Sequence, residues 1–442
     1  MTRVLALDVG TSAVRAQVFG PDAAETEASR RNYPGETDPD RIVELAREVI
    51  DEALDGEDVE AVGVSCFGHS LLALDADARP LTPILGWRDR RSADAAVRLA
   101  ERLETDAVHA RTGAYLHWSY WPAKLVWLAE EEPHVFRSAR RFVSFAEYLY
   151  ARLHGDRPSA SLSLASTTGL VDLRTHLWDD ELLAALGLDA DRLSPISDDP
   201  IDTWYPALFD GACSNLGIGC VGRDRAVLMI GTSGAFRTVY EAEAQEPRSG
   251  LFLYHVDGRR VVEGGALSDG GNVYYWLRRT LQDAKGSLAD RDPDSHGLTF
   301  LTLLGGERSP GWDPYVTGGV QGLTFETTPL DLRQAALEGV AFRFAEVADL
   351  MPEVEEVVAT GGALLNDPDW LQIMADALGR PIIAASVREA SLRGAAVATL
   401  ERLGVSAPVP PPGRRVEPRP ERAPAFESAR ERQRRLYEAA RS

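Results

Sequence analysis

Val4-Leu-Ala-Leu-Asp-Val-Gly-Thr-Ser-Ala-Val-Arg-Ala-Gln-Val-Phe19 contains two strand patterns that meet at a glycine. The first pattern is an apolar run interrupted only by Asp8, and the second alternates apolar with polar residues from Val14 onward. Continuous apolar runs are typical of fully buried strands, and alternation is typical of half-buried ones. The sequence therefore predicts a β-hairpin whose turn is Gly10-Thr-Ser-Ala13.

The same turn returns half a chain later. Ala226-Val-Leu-Met-Ile-Gly231 is a second apolar strand pattern, and Gly231-Thr-Ser233 repeats Gly10-Thr-Ser12. Both copies end an apolar strand and precede an alternating one, which indicates an ancient duplication.

Helical patterns lie between these strands. Residues 42–54 carry apolar side chains at helical spacing after a capping Asp38, and residues 59–65 return as a strand. A third glycine element, at residues 357–363, is followed by a helical pattern at residues 370–378. Strands that alternate with helices predict an α/β protein.

The composition excludes several classes of partner. Among 442 residues there are 47 lysines and arginines against 68 aspartates and glutamates, a formal net charge of −21. So acidic a surface repels phosphate backbones and anionic membranes, and we expect neither nucleic acid nor a membrane as partner. The three cysteines, Cys66, Cys213 and Cys220, lack metal-type spacing and are expected in the core of a protein kept reduced. No apolar run has signal-peptide or membrane-span character, so we expect a cytoplasmic protein.

The commonest nucleotide-binding motif is absent. A P-loop requires Gly-Lys followed by Ser or Thr, whereas the two lysines, Lys124 and Lys285, each follow an alanine. A nucleotide site in this chain must be built in another way.

The two glycine turns are candidates for phosphate binding. Turns at strand ends expose backbone N–H groups, and the Thr and Ser hydroxyls add donors, so two such turns together could bind one triphosphate. Asp8 lies within an apolar strand, where a carboxylate is costly unless it meets a donor or a cation; Mg²⁺ beside the phosphates is a natural partner, and a turn-capping role is the alternative. Arg15 could reach the phosphates or could be a solvated surface residue.

Transfer of a phosphoryl group to an alcohol also requires a base, and Asp210 in Asp210-Gly-Ala-Cys-Ser-Asn-Leu-Gly217 is a candidate. An Asp before Gly-Ala at a helix start is ordinarily an N-cap, which is the alternative interpretation. Its place just before the second glycine turn favours the base.

The ordered motifs together resemble the FGGY carbohydrate kinase family of the actin-like ATPase superfamily. Asp8-Val-Gly-Thr-Ser-Ala-Val-Arg15 is similar to the first phosphate motif, Ile230-Gly-Thr-Ser-Gly234 to the second, Thr360-Gly-Gly-Ala-Leu-Leu-Asn366 to the adenosine motif and Glu389-Ala-Ser-Leu-Arg-Gly-Ala-Ala396 to the closing segment. The resemblance implies an α/β fold with two actin-like, ribonuclease H-like domains, residues 1–224 and 225–442, and an active site in the cleft between them. It implies ATP and a small carbohydrate as substrates, with Mg²⁺, and is compatible with a homodimer.

The resemblance also implies roles for individual residues. Asp210 is the catalytic base, and Asp8 is the carboxylate beside Mg²⁺. The nucleotide residues are Gly10, Thr11, Ser12, Arg15, Gly231, Thr232 and Ser233 along the phosphates, and Gly361, Gly362, Ala363 and Asn366 at the nucleoside. The carbohydrate residues, besides Asp210, are Gly68, His69, Trp87, Asp89 and Tyr120. Without the resemblance, His69 would be read as a polar residue at a strand end and Trp87 as a core residue.

Within the family the motifs are closest to gluconokinase-like members, through residues 210–217, 231–237, 264–272 and 305–312. The implied acceptor is gluconate or a related sugar acid, and Arg88 and Arg90 could supply the cation that its carboxylate needs. A pentulose or polyol kinase of the same family is the alternative. A sugar sensor or chaperone-like ATPase on the same scaffold is an alternative of another class, although neither has an obvious use for Asp210.

Overall fold

The computed structural model describes residues 2–155, 159–242, 246–281 and 286–441; Lys285 lies outside them. Its first sheet has five strands, in the spatial order Ser29–Asn32, Ala13–Phe19, Val4–Val9, Ala61–Cys66 and Leu208–Phe209. The first two pairs are antiparallel and the next two are parallel. The predicted hairpin is confirmed, with Asp8 opposite Arg15 in register and the Gly10 N–H donating to the Ala13 carbonyl.

The second sheet repeats this order. Its strands run Phe252–His255, Arg260–Leu267, Gly234–Glu241, Arg225–Ile230, Glu356–Thr360, Ile382–Ala384 and Arg415–Val416. Arg225–Ile230 pairs antiparallel with Gly234–Glu241 and parallel with Glu356–Thr360, as Val4–Val9 does with its two neighbours. The repeated topology agrees with the predicted duplication.

Smaller elements complete the chain. Three two-stranded pairs are formed by Leu72–Leu74 with Arg141–Val143, Val171–Asp172 with Leu177–Trp178, and Thr299–Leu301 with Gly319–Gln321. The α-helices are Pro39–Leu54, Ala93–Arg102, Thr105–Thr112, Trp121–Glu131, Pro133–Ser138, Phe145–His154, Leu162–Ser166, Asp180–Leu186, Asp210–Gly217, Gly271–Thr280, Pro329–Asp349, Gly362–Leu365, Pro368–Leu378, Ala390–Arg402 and Ala423–Arg441, and short 3₁₀ helices occur at Ala190–Arg192 and Pro420–Arg422. No helix in the described ranges is long and apolar enough to cross a membrane.

The first predicted helix begins at its predicted capping residue. Helix Pro39–Leu54 begins at Asp38, whose carboxylate accepts from the Asp40 N–H at 3.0 Å. The three cysteines are buried and free, as predicted. The helix Ala423–Arg441 buries Phe426 and Ala429 in the hydrophobic core beneath the second sheet. Its residues Arg430 and Arg432 pair with Asp349 and Asp294.

One late helix lies on the first sheet. Ala390–Arg402 packs against Val4–Val9, Ala61–Cys66 and helix Asp210–Gly217. The approach requires glycines, since a Cβ on Gly63 would lie 1.9 Å from Thr399 Oγ1 and one on Gly394 would lie 1.8 Å from the Cys213 carbonyl oxygen. A helix from the second half of the chain thus packs on the first sheet. The predicted domain boundary between residues 224 and 225 stays a prediction.

Candidate active site

Two connected cavities lie between the sheets. The inner cavity, of about 520 Å³, is lined by Thr11, Phe67, Gly68, His69, Trp87, Phe209, Asp210, Met229, Ser233, Gly234, Ala235, Arg237, Phe252, Tyr254, Ala266 and Arg308. The outer cavity, of about 1000 Å³, is lined by Asp8, Arg15, Arg30, Asp210, Gly211, Ser214, Met229, Gly231, Arg237, Thr360, Gly361, Gly362 and residues 388–391. Each cavity is lined by residues from both halves of the chain, and the two cavities share lining residues. We therefore treat them as one cleft.

The outer cavity contains the predicted strand carboxylate. Asp8 is buried, its Oδ1 accepts from the Ser65 hydroxyl at 2.7 Å, and its Oδ2 accepts from Arg15 Nη1 at 2.8 Å. Arg15 Nε also lies 3.0 Å from Glu389 Oε2. Arg15 is therefore an ion-paired residue at the cavity wall and not a solvated surface arginine.

Asp210 lines both cavities, at the first position of helix Asp210–Gly217. The N-cap of that helix is Phe209, and the Asp210 side chain makes no capping hydrogen bond there, so the N-cap interpretation does not apply. Burial raises the pKa of Asp210 to about 7, opposed by the positive charge of Arg237 and reinforced by Asp8. A carboxyl group with a pKa near neutrality can take up and release a proton at physiological pH.

His69 is held in an unusual backbone conformation on the inner cavity wall. Its φ is +64°, which a residue with a side chain adopts only where its surroundings enforce it. The Lys124 ammonium donates to the His69 carbonyl at 2.5 Å, and the His69 N–H donates to Thr167 Oγ1 at 3.3 Å. These two bonds stabilise the strained geometry, so the fold itself sets the position of the imidazole.

The tautomer of His69 follows from its partners. Its Nδ1 lies 2.7 Å from the Thr167 carbonyl oxygen, which can only accept, so Nδ1 carries the proton. Burial lowers the pKa of His69 to about 3, and the ring is neutral. Nε2 is therefore an acceptor, suited to a hydroxyl group in the cavity.

Lys124 is a positioning residue that the sequence did not reveal. It is 1% exposed, and besides the His69 carbonyl it donates to the Leu85 carbonyl at 3.0 Å. Burial lowers the pKa of its ammonium to about 7. One buried cation thus connects the segments that carry His69 and Trp87.

The structure does not bring every predicted residue to the two cavities. Asp89 lies with Thr11 and Trp87 along a neighbouring cavity of about 870 Å³ and pairs with Arg91. Tyr120 is buried behind the wall, where its hydroxyl bonds that of Tyr254 at 2.5 Å and its ring meets His69 edge-on. The other predicted residues that line neither cavity are Gly10, Ser12, Thr232, Ala363 and Asn366. The first three lie in the glycine turns, Ala363 lies in the helix Gly362–Leu365, and Asn366 is the C-cap of that helix.

Two buried arginines were missed by the sequence reasoning. Arg308 is 6% exposed, its guanidinium lies 4.3 Å from the centre of the Trp87 ring, and its Nη2 donates to the Leu267 carbonyl at 3.0 Å. Arg237 is 4% exposed. The Nε of each has no hydrogen-bond partner among the described residues. An arginine amid apolar residues, as in Gly234-Ala-Phe-Arg-Thr-Val239, was the signal available in the sequence.

The arginines expected to meet a carboxylate lie elsewhere. Arg90 stacks on Trp118 and donates to the Pro314 carbonyl at 2.8 Å. Arg88 is exposed and lines the neighbouring cavity, with its guanidinium 4.9 Å from the Trp87 ring centre. Arg308 is thus the arginine that reaches the inner cavity beside Trp87.

Comparison with known proteins agrees with this arrangement. Residues 3–199 match the N-terminal domain model of the FGGY family of carbohydrate kinases, and residues 226–400 match the C-terminal domain model. A gluconokinase of Bacillus subtilis (strain 168) is 28% identical over 451 residues, covering 91% of this chain and 88% of that protein.

Solved structures show the same architecture. A ligand-bound xylulose kinase from Lactobacillus acidophilus superposes with a TM-score of 0.90 at 25% identity, covering 100% of this chain and 99% of that one. A gluconate kinase from the same organism gives a TM-score of 0.88 at 26% identity, covering 99% and 98%.

Two α/β halves of like topology with a polar cleft between them define an actin-like kinase, and the predicted fold class is confirmed. The chain belongs to the FGGY family of carbohydrate kinases. It is a sugar kinase that uses ATP as its phosphate donor.

Proposed function

We propose that the chain phosphorylates an aldonate, with gluconate as the first acceptor to test. The buried Arg308 beside Trp87 is the observation that carries this proposal. A buried guanidinium with an unpartnered Nε is costly unless it meets an anion, and a carboxylate matches its geometry. Similarity to the gluconokinase of Bacillus subtilis and to the gluconate kinase of Lactobacillus acidophilus supports the same acceptor. A pentulose or polyol would offer this guanidinium no carboxylate, and within the described protein the buried Asp269 is a carboxyl group that acts on it.

The site residues take the following roles in this proposal. The acceptor occupies the inner cavity, where Nε2 of His69 accepts from a sugar hydroxyl and Arg308 binds the carboxylate. ATP occupies the outer cavity, with its nucleoside near Gly361 and Gly362 and its phosphates running past Gly231 toward the inner cavity, where Thr11 of the first glycine turn lies.

Asp210 acts as the base where the two cavities meet. It accepts the proton of the acceptor hydroxyl as that oxygen bonds to the γ-phosphorus, while the bond to the bridging oxygen breaks and its electron pair stays on ADP. Closure of the cleft around both substrates excludes water from this step.

The surroundings of Asp8 suit a carboxylate that binds Mg²⁺ beside the phosphates. Each of its oxygens accepts one hydrogen bond and keeps a lone pair. No cluster of three or more His, Cys, Asp or Glu side chains suited to a metal occurs in the described part of the chain. Mg²⁺ commonly binds through one or two carboxylates, with phosphate oxygens and waters as its other ligands. Bound beside Asp8, Mg²⁺ would neutralise charge on the β- and γ-phosphates.

ADP release with Mg²⁺ and ATP tests the function directly, against gluconate, other aldonates, pentuloses and polyols. Turnover on an aldonate, and none on neutral acceptors, is the expected result. Turnover on a pentulose or polyol alone would overturn the aldonate assignment. Slow ATP hydrolysis that no acceptor stimulates would instead indicate a sensor or chaperone-like ATPase. A cytoplasmic location and a homodimer stay predictions.

The pH dependence of kcat/KM should report the ionisation of Asp210. A base must be deprotonated, and burial raises the pKa of Asp210 to about 7 despite Arg237 and Arg308 nearby, with Asp8 and the buried thiol of Cys66 also close. We expect kcat/KM to rise about tenfold per pH unit below about pH 7 and to level off above it. A flat profile between pH 5.5 and 8 would contradict a base with this pKa.

The two glycine turns should contribute to ATP affinity. Thr11→Val together with Thr232→Val removes one hydroxyl donor from each turn, and we expect ATP to bind about tenfold more weakly. Titration calorimetry with a non-hydrolysable ATP analogue measures this. Thr280→Val, on an exposed helix end, is the matched control and should leave the affinity unchanged. Wild-type affinity in the double variant would remove the turn hydroxyls from the phosphate site.

A further inference from the structure

The inner and outer cavities have three lining residues in common: Asp210, Met229 and Arg237. A phosphoryl group that moves from a nucleotide in one cavity to a hydroxyl in the other must pass these side chains. Asp210 is the proposed base, and Met229 is uncharged. Arg237 is the cation of the three.

The guanidinium of Arg237 is buried, and no described residue is a counter-ion in contact with it. It is 4% exposed, its Nε has no hydrogen-bond partner, and within the described ranges it forms no ion pair. In the described part of the chain, Asp210 is the charged group whose attraction opposes the lowering of the Arg237 pKa by burial. A buried cation left unpaired is costly, so the arrangement points to an anion that arrives with the substrates.

Glycines on two sides leave the room that the side chain of Arg237 occupies. Arg237 lies opposite Gly264 in the second sheet, and a Cβ on Gly264 would lie 2.9 Å from its Cγ. A Cβ on Gly211 would lie 2.5 Å from its Nη1, so the guanidinium rests against the residue that follows Asp210. The strand and the helix start therefore fix Arg237 next to the base before any ligand binds.

We propose that Arg237 is a catalytic residue that donates hydrogen bonds to the oxygens of the phosphoryl group during its transfer. This inference rests on transfer at Asp210, and it holds for any acceptor in the inner cavity. The γ-phosphorus bonds to the acceptor oxygen, whose proton goes to Asp210, and the bond to the bridging oxygen breaks with its electrons retained by ADP. Arg237 exchanges no proton or electron; it offsets charge on the transferred oxygens, and a preformed donor does so without reorganisation.

A different role for Arg237, as the carboxylate-binding residue of the acceptor, fits the cleft less well. A carboxylate at one end of a linear sugar acid lies away from the hydroxyl at the other end. Arg237 adjoins Asp210, where that hydroxyl reacts, whereas Arg308 lines only the inner cavity, beside Trp87. Arg308 thus binds the carboxylate of the acceptor, and Arg237 binds the phosphoryl group.

The test replaces Arg237 by Gln and, as a second uncharged variant of similar volume, by Met. We expect kcat to fall about a hundredfold or more, with the Kd values of ADP and of the acceptor within about threefold of wild type. The decisive measurement is the affinity of the complex with Mg²⁺, ADP, acceptor and aluminium fluoride, a planar mimic of the phosphoryl group in transit. That affinity should fall by about the same factor as kcat, which a merely structural role would not produce.

Arg308→Gln is the matched control, because it makes the same change in the other buried arginine and should raise the acceptor KM instead. A kcat within fivefold of wild type in both Arg237 variants would overturn the inference. So would a kcat loss that leaves the aluminium fluoride complex at wild-type affinity, or an acceptor Kd that rises as much as kcat falls. Failure of the site itself is distinguishable, because Asp210→Asn would then keep its activity, and failure of the aldonate proposal appears in the acceptor panel.

Discussion

Replacing Asp210 by Asn is expected to lower kcat by well over a hundredfold while ATP and acceptor still bind within about threefold of their wild-type affinities. The amide has nearly the shape of the carboxylate but cannot take the hydroxyl proton, so only the chemical step should be affected. Initial rates of ADP release, with binding measured separately by calorimetry, check both parts.

Thermal unfolding separates this effect from loss of structure. Burial raises the folded-state pKa of Asp210 to about 7, above that of an unfolded Asp, so the folded state retains the proton between these pKa values. The stability contributed by that proton is present at low pH and is lost as the pH rises through about 7. A neutral Asn avoids the burial of charge, and at pH 8 we expect Asp210→Asn to unfold at no lower a temperature than the wild type.

Asp172→Asn is the matched control for this variant. Asp172 is the half-buried last residue of the strand Val171–Asp172, and its carboxylate accepts from the N–H groups of Arg174 and Thr175, which an Asn side chain can also do. Its kcat should stay within twofold of wild type. Transfer by Asp210→Asn within a few-fold of wild type would show that another group takes the proton.

Replacing Arg308 by Gln should lower kcat/KM for gluconate about a thousandfold, because removal of one partner of a buried charge pair costs several kcal/mol. The same variant should act on the neutral amide of gluconate about as well as the wild type does, since that compound offers no carboxylate to bind. The preference for the acid over its amide is therefore the quantity to measure.

Arg88→Gln is the control for Arg308, because both guanidinium groups lie on the Trp87 ring and Arg88 is exposed to solvent. We expect it to change the preference less than fivefold. If Arg88→Gln removed the preference and Arg308→Gln kept it, the carboxylate would lie in the neighbouring cavity and the assignment to Arg308 would be wrong.

The loop that carries Arg308 shows why its role could not be read from the chain. Glu307 accepts from the Tyr437 hydroxyl at 2.8 Å and pairs with Arg343, so the terminal helix and the long helix Pro329–Asp349 both hold this loop. His117 in the first half of the chain bonds the Glu307 carbonyl at 2.8 Å. Because the residues that hold this loop are distant from it in sequence, no local sequence pattern predicts the position of Arg308.

Tyr120 is a residue that the motifs predicted for the acceptor site but that does not line the cavity. The resemblance marked it for the acceptor, and the structure places its hydroxyl on Tyr254 and its ring against His69, one layer behind the cavity. A motif identifies the segment that contributes to a site, but side-chain packing decides which of its residues reaches the cavity.

The α/β class and the duplicated glycine turns followed from the sequence, because turns and strand periods depend on residues adjacent in the chain. The ordered motifs carried the resemblance to the kinase family, and Asp210 as the base stays a prediction. Tertiary packing set the rest. Arg237 and Arg308 are buried and unpaired at Nε among the residues that the structure describes, Lys124 binds the carbonyl of the left-handed His69, and Arg90 is turned away to Trp118. Burial and the partners of a charge are set by segments that meet only when the two sheets pack together, and these are the quantities that fix the strength of an electrostatic interaction.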